Sequence, residues 1–349
     1  MNNNSFFSTE ILRWFRENGR DLPWRETRDP YAIWLSEIIL QQTRIAQGWE
    51  YWERFMQTYP KVEDLAAASE DDVLKLWQGL GYYSRARNLH TAAKQIVALG
   101  DFPNTLEGIK SLKGVGDYTA AAIGSFAFDI PAAVVDGNVY RVLSRYFGID
   151  TPINSTQGKK EFAALAQSLL PASDAASYNQ GMMDFGAIQC TPQSPKCLLC
   201  PLAETCEALR CGRVEELPVK NKTVKVKTRH LSYIYIRCKS LAADDRGKSE
   251  PMVAIHRRGE GDIWQGLWEP YNVSDVKELP SFVKNPILLA KDVKHVLTHR
   301  ILLADFYLLE TESRPQLPDD YIWIRESEIE DYGVPRLIEI MLEKINPVE

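Results

Sequence analysis

The sequence predicts a mainly helical domain that carries a four-cysteine loop, followed by a smaller α+β domain. Three observations support this. The chain has 349 residues, enough for two domains that each bury a core. Helical periodicity dominates residues 1–218, whereas short β-branched and aromatic runs dominate residues 230–349. Between them, residues 219–229 hold Lys220, Lys222, Lys225, Lys227 and Arg229, a basic and polar run that reads as a solvated linker.

The elements follow in order. Asp29-Pro30 supplies a capping carboxylate and then proline at the first helical position. Residues Tyr31–Gly48 are apolar nearly all round and predict one buried central helix. Asn104 with Glu107 forms a capping pair that opens a short helix before Leu112. Asn138–Gly148 and Lys159–Leu170 keep helical periodicity, with glycine or proline as stops. In the second domain Arg229–Cys238, Met252–His256 and Arg300–Leu309 predict strands, and Pro335–Ile345 a terminal helix.

Composition narrows the functional classes. An apolar fraction of 45% and a charged fraction of 25% are globular values. The longest apolar stretch, Thr119–Val135, is interrupted by Asp129 and Pro131 and is too short to span a bilayer. The N-terminal residues lack a basic region and an apolar run, so the expectation is a cytosolic chain with no membrane partner. Net charge is −6, from 41 Lys and Arg against 47 Asp and Glu. Residues 1–220 carry 22 basic and 26 acidic side chains, leaving 19 and 21 for the rest, so neither half is basic. Any nucleic-acid contact must come from local patches and backbone donors.

Cys190, Cys197, Cys200 and Cys206 lie within 17 residues, spaced C-x6-C-x2-C-x5-C, while Cys211 and Cys238 stand apart. Four clustered thiols in a cytosolic chain read as metal ligands, and the spacing admits zinc or an iron–sulfur cluster. Leu112-Lys113-Gly114-Val115-Gly116-Asp117 lies between two helical patterns. Its glycines permit a tight hairpin that aims backbone amides at an anion, although an ordinary helix–helix turn reads the same way. The segment resembles the helix-hairpin-helix motif of DNA repair proteins.

Two carboxylates stand out. Glu37 sits among Trp34, Leu35, Ile38, Ile39 and Leu40, either as a buried acid of raised pKa or on one polar stripe beside Gln41. Asp136 precedes Gly137-Asn138, where a helix begins, and taken alone reads first as an N-cap. Together they form the pair that glycosidic cleavage needs, a protonated acid plus an ionised carboxylate facing an oxocarbenium-like transition state.

The resemblance is wider than the hairpin. Leu22-Pro23-Trp24-Arg25, Ser36 to Thr43, Gly79 to Ala86, the hairpin at about 105–128, Val135 to Val139 and the cysteine spacing over 190–206 occur in the order of the adenine DNA glycosylase (MutY) family. The match runs from about Phe7 to Cys206 and more weakly beyond. It implies a helix-hairpin-helix glycosylase domain with an iron–sulfur loop, then a Nudix-like lesion-recognition domain. It further implies a DNA repair enzyme that flips out and hydrolyses adenine mispaired with 8-oxoguanine or guanine in double-stranded DNA, monomeric and nucleoid-associated.

Residue by residue, the resemblance makes Glu37 the general acid and Asp136 the stabiliser of the sugar cation, with Tyr118 and Asn138 holding the centre. It places Trp24, Arg25, Leu40 and Gln180 around adenine. It assigns Gln42, Leu80 and Tyr82 to the duplex and lesion strand, and Gly114, Val115 and Gly116 to the DNA backbone. The four cysteines become ligands of a structural [4Fe–4S] cluster. Endonuclease III, the nearest alternative, needs a lysine directly after the hairpin, where this chain has Tyr118; Lys113 falls one residue before Gly114. A catalytically silent damage-binding protein is the other alternative.

In the second domain, Asp262 to Glu269 matches the family, with Trp264 and Trp268 as core residues, but no Glu-rich Mg²⁺-binding helix follows. Binding rather than nucleotide hydrolysis is expected. The lesion-reading Phe-Ser-His loop of many bacterial members becomes Leu297-Thr298-His299 here, so Thr298 and His299 keep the polar groups without the aromatic ring. A surface histidine at a strand edge is the other reading of His299.

Overall fold

The structure, a computed structural model, describes residues 3–221, 226–243, 249–274 and 279–346. Lys222 and Lys225 of the basic run lie outside the described residues. The chain divides into one unit of Met1–Ala66 with Thr91–Lys222 and another of Ala67–His90 with Thr223–Glu349.

Helices run in order as α1 (Asn3–Asn18), α2 (Pro30–Leu40), α3 (Ile45–Thr58), α4 (Val62–Ala67), α5 (Glu70–Leu76), α6 (Ser84–Leu99), α7 (Leu106–Lys110), α8 (Asp117–Phe128), α9 (Gly137–Phe147), α10 (Thr156–Leu169), α11 (Ala175–Asp184), α12 (Glu207–Arg210) and α13 (Arg336–Ile345). The Asp29 side chain accepts from Tyr31 N at 2.9 Å with Pro30 at the first position, and every residue of Tyr31–Ile39 is buried. The single helix expected over Tyr31–Gly48 is instead two. Gln42 takes φ +58, outside the right-handed helical region, so α2 stops at Leu40 and α3 starts at Ile45. A Cβ on Gly48 would meet Leu40 Cδ2 at 2.6 Å, so glycine lets α3 fold back this closely. The α7 cap also differs from expectation: the side chain of Thr105, not Asn104, accepts from Gly108 N at 3.1 Å.

The first unit centres on a core of Phe7, Ile11, Leu143, Phe162 and Phe185, with neighbouring buried residues from α1, α9, α10 and α11. α2 packs across α8, which brings their ends together.

The second unit contains strands β1 (Lys227–Ala243), β2 (Ser249–Arg257), β3 (Trp268–Glu269), β4 (Tyr271–Ser274), β5 (Ile287–Val296), β6 (Arg300–Thr311) and β7 (Tyr321–Arg325). The sheet order is β3-β2-β1-β6-β5, with β4 paired to β1 and β7 to β2. β1 runs parallel to β6, from Lys227 opposite Arg300 to Cys238 opposite Thr311; the other pairings are antiparallel. Period-2 alternation divides β1: Leu231, Tyr233 and Tyr235 join α13 residues Leu337, Ile338 and Met341 in one core, and Ile234 and Ile236 face the other side. Trp264 and Trp268 pack partly buried against the first core. Lys227 and Arg229 belong to β1, and Arg229 donates to Asp262 at 2.6 Å, so the end of the basic run is strand rather than solvated linker.

The sequence pattern places residues 67–90 with the helical domain, yet they pack with the second unit. Gln78 Nε2 donates to Glu339 Oε1 at 2.5 Å, and Arg87 Nη1 to the Gln265 carbonyl at 2.6 Å. Arg257 pairs with Glu70 at 2.8 Å and Asp71 at 3.0 Å. A Cβ on Gly266, itself at φ +83, would meet Leu74 Cδ1 at 2.9 Å.

Candidate active site and cysteine loop

A pocket of about 470 Å³ opens where the end of α2, the start of α8 and the start of α9 converge. Glu37, Leu40, Gln42, Tyr118, Asp136 and Asn138 all line it. A smaller adjoining cavity is lined by Trp24, Arg25, Glu37, Leu40 and Gln180. The residues predicted for acid catalysis and for holding a base therefore meet around one carboxyl, Glu37.

Glu37 is only 7% exposed. Burial pushes its carboxyl up to about 7, helped by the Asp136 charge and opposed by a hydrogen bond to Tyr118 and by Arg25. The polar-stripe reading is thus set aside. Asp136 caps α9, accepting at Oδ1 from Asn138 N and Val139 N, both at 2.8 Å, and at Oδ2 from Asn138 Nδ2 at 2.7 Å. Burial raises its pKa while these donors and Arg141 pull it down. Asp136 is thus both the cap of α9 and a carboxylate lining the pocket.

All four cysteines of the 190–206 loop line one small cavity beside Arg145. Among the described residues no three His, Cys, Asp or Glu lie close enough to hold a single ion. The four thiols do share one cavity, as the ligands of a single cluster must. Burial raises the Cys200 thiol to about 12 and also raises Cys197 and Cys206, with the neighbouring sulfurs adding to each. A cationic centre would relieve that shared cost, so the donor set fits the cofactor. Arg145, 3% exposed, donates to Cys190 Sγ at 3.5 Å and to the Thr191 carbonyl at 2.7 Å. Cys211 is exposed and donates to Glu207 at 3.3 Å, Cys238 is a buried residue of the other unit, and neither is among the residues lining the cavity.

Between α7 and α8 the hairpin forms as spaced. Gly114 has φ +79, Val115 is buried as the anchor, and Gly116 sits in extended backbone at the α8 N-cap, where an added Cβ would meet nothing within 4 Å. In the second unit a cavity of about 700 Å³ is lined by Leu80, Tyr82, Trp264, Thr298 and His299, among others. Tyr82, 46% exposed and at φ +47, shares a 2.5 Å hydrogen bond with Thr298 Oγ1 at the β5–β6 turn. Leu80 is buried; Thr298 and His299 are exposed, and Gln42 is an exposed residue of the first unit.

Comparisons place these features. The family model for the HhH-GPD superfamily base excision DNA repair protein matches residues 35–171, that for the iron–sulfur binding domain of endonuclease III residues 190–206, and that for the NUDIX domain residues 245–344. An adenine DNA glycosylase of Buchnera aphidicola (subsp. Schizaphis graminum) is 30% identical over 97% of this chain and 98% of its own length. The chain belongs to the adenine DNA glycosylase family. It is accordingly an adenine DNA N-glycosylase of base excision repair, a DNA-binding protein with a [4Fe–4S] cofactor. The mouse adenine DNA glycosylase is 43% identical over 61% of the chain, which spans only 44% of that relative's length. A solved thermostable thymine-DNA glycosylase superposes with a TM-score of 0.56 at 34% identity, covering 60% of this chain and 97% of that one. A trapped endonuclease III–DNA intermediate shares the fold of the helical part, with a TM-score of 0.53 at 23% identity over 61% of this chain and 99% of its own.

Sequence reasoning missed several residues of this candidate pocket. Arg20 lines both cavities, and the fully buried Asp184 holds Arg20 and Arg25 together. Arg141 donates to Asn138 Oδ1 at 2.8 Å and to the Cys190 carbonyl at 2.7 Å, linking the pocket wall to the cysteine loop. An arginine inside an amphipathic helix gives no sequence signal that it is buried; only its absent apolar spacing partners could have hinted at it.

Proposed function

We propose that this glycosylase removes adenine paired with 8-oxoguanine, and with guanine, by hydrolysis alone, with Glu37 as general acid and Asp136 as stabiliser of the sugar cation. Glu37 carries the reading: a carboxyl with a pKa near 7 is about half protonated at neutral pH and can still give its proton to a leaving base. Flipping adenine out of the stack costs a few kcal/mol, less at a mispair. The flipped base would sit against Trp24, Leu40 and Gln180, within reach of Glu37. Protonating its ring nitrogen weakens the glycosidic bond, and positive charge builds on the sugar. Asp136 would meet that charge, its carboxylate fixed in place by Asn138 and Val139. Tyr118 would orient Glu37 by its hydrogen bond.

Among the described residues no lysine lines either cavity, and the Tyr118 phenol forms no Schiff base, which supports hydrolysis without strand cleavage. The amides of Gly114, Val115 and Gly116 would bind a backbone phosphate, compensating for the acidic net charge. Gln42, Leu80, Tyr82, Thr298 and His299 would contact the duplex and the lesion. Cys190, Cys197, Cys200 and Cys206 would hold the cluster, which when bound cross-links its loop.

Duplexes bearing A·8-oxoG, A·G and A·T, with base release and strand cleavage scored separately, test the proposal. Release from the first two with the strand intact until alkali treatment is expected. Concurrent strand cleavage would favour an endonuclease III-type lyase, and binding without release a silent damage binder.

A further inference from the structure

Asp184 ends α11 with its side chain wholly buried, yet no part of the mechanism above uses it. Its Oδ1 accepts from Arg20 Nε at 2.9 Å, from Arg20 Nη2, and from Arg25 Nη2 at 2.9 Å. Its Oδ2 accepts from Arg20 N and Arg25 Nη1, each at 2.9 Å. Arg25 Nη1 donates in addition to the Arg20 carbonyl at 2.9 Å. One carboxylate thus anchors two guanidinium groups from a segment about 160 residues earlier. Both arginines line the cavity that contains Glu37.

We propose that Asp184 is a positioning residue of the base pocket, holding the Arg20 and Arg25 guanidinium groups on one wall and cancelling one of their two positive charges. This rests on the reading of Glu37 as the general acid. The charged and titratable groups around Glu37 are Tyr118 from α8, Asp136 at the α9 cap, Arg25 from the Pro23–Arg25 turn, and Arg20 after α1. Asp184 stands behind the two arginines, from α11. With Asp184 ionised, the arginine wall carries net +1; without that charge it would carry +2. Additional positive charge favours the carboxylate of Glu37 over the acid, and only the acid can donate. Burial opposes the charge on Asp184 itself, but its hydrogen bonds to Arg25 and Arg20 outweigh this and hold it below the usual carboxylate range. It therefore stays ionised across the pH range in which Glu37 titrates.

The test is the single-turnover rate of base release against pH, measured on the full-length, cluster-loaded protein as wild type, Asp184→Asn, Arg20→Gln and Glu37→Gln. Asp184→Asn is expected to move the alkaline limb of the profile down by about one pH unit, on the scale of one unit charge at partly screened range. Its loss of rate should be several-fold larger at pH 8 than at pH 5.5. Arg20→Gln removes a positive charge and should move the limb upward. A merely structural tie would lower the Asp184→Asn rate equally at every pH with the limb in place, which overturns the proposal. Should Asp184→Asn fail to fold, judged by circular dichroism and cluster absorbance, the Arg20→Gln limb decides, and an unmoved limb again overturns it. Retained activity in Glu37→Gln would sink the general-acid reading and this proposal together. An inactive Glu37→Gln beside unmoved limbs would sink this proposal alone.

Discussion

Replacing Glu37 with Gln should destroy activity and stabilise the protein at the same time. The folded-state value of about 7 stands above the ordinary 4.5 because burial penalises the carboxylate. Between those values the native protein binds a proton that the unfolded chain has released. Stability is therefore fully present below about 4.5 and is lost as pH rises to 7. The difference amounts to about 3 kcal/mol, from roughly 1.4 kcal/mol for each pH unit between the two values. Glutamine keeps the shape but cannot ionise, so Glu37→Gln should gain about that much over wild type at pH 8 and almost nothing at pH 4.5. Base release should meanwhile fall by at least ~10²-fold, as expected for a lost general acid. Denaturant unfolding followed by helical circular dichroism at the two pH values measures the first effect, and single-turnover release from an A·8-oxoG duplex the second. Comparing two pH values cancels any change in packing that the amide introduces. An equal stability difference at both, or excision left within a few-fold of wild type, would refute the reasoning.

Asp136→Asn should cut release by at least ~10²-fold yet cost about 1 kcal/mol or less, because asparagine can still accept from Val139 N; paired rate measurements and melting curves check this. Cys200→Ser should lower both the visible absorbance of the cluster and the melting temperature, since ligation energy in a closed site is also folding energy. A chain cut after Lys220 should still release adenine from A·G but lose its preference for A·8-oxoG. It should also become protease-sensitive within residues 67–90, which lose the contacts of Gln78, Arg87 and Leu74; release ratios and limited proteolysis read the two effects.

Local chemistry was legible because it acts over a few residues. Asp29-Pro30 and Asp136-Gly137-Asn138 announce their helix starts, since a cap needs only its own side chain and amides two or three residues on. The cysteine spacing and the Gly114 turn likewise require nothing distant. The end of α2 was missed for the complementary reason. Gln41-Gln42-Thr43-Arg44 interrupts the apolar pattern without a glycine or proline stop, and the break depends on Gln42 adopting φ +58 while Gly48 admits Leu40, a packing event between two helices. The docking of 67–90 and the parallel pairing of β1 with β6 are also long-range, and no periodicity within either segment encodes its partner.

Glu37 shows why the site sits at this limit. Its own helix offers an acid among apolar residues, compatible with a solvated stripe or a buried proton donor. What separates the two comes from elsewhere in the chain: Tyr118 at the start of α8, Asp136 at the start of α9 and Arg25 before α2. Burial raises the pKa most; against it the phenol and guanidinium pull down while the neighbouring carboxylate adds to the rise, so the value near 7 is a balance that no single segment holds. A substitution at any of them therefore changes when Glu37 carries its proton, even where the pocket keeps its shape. Tuning of this carboxyl is thus distributed over the fold, while the carboxyl itself is written at one position.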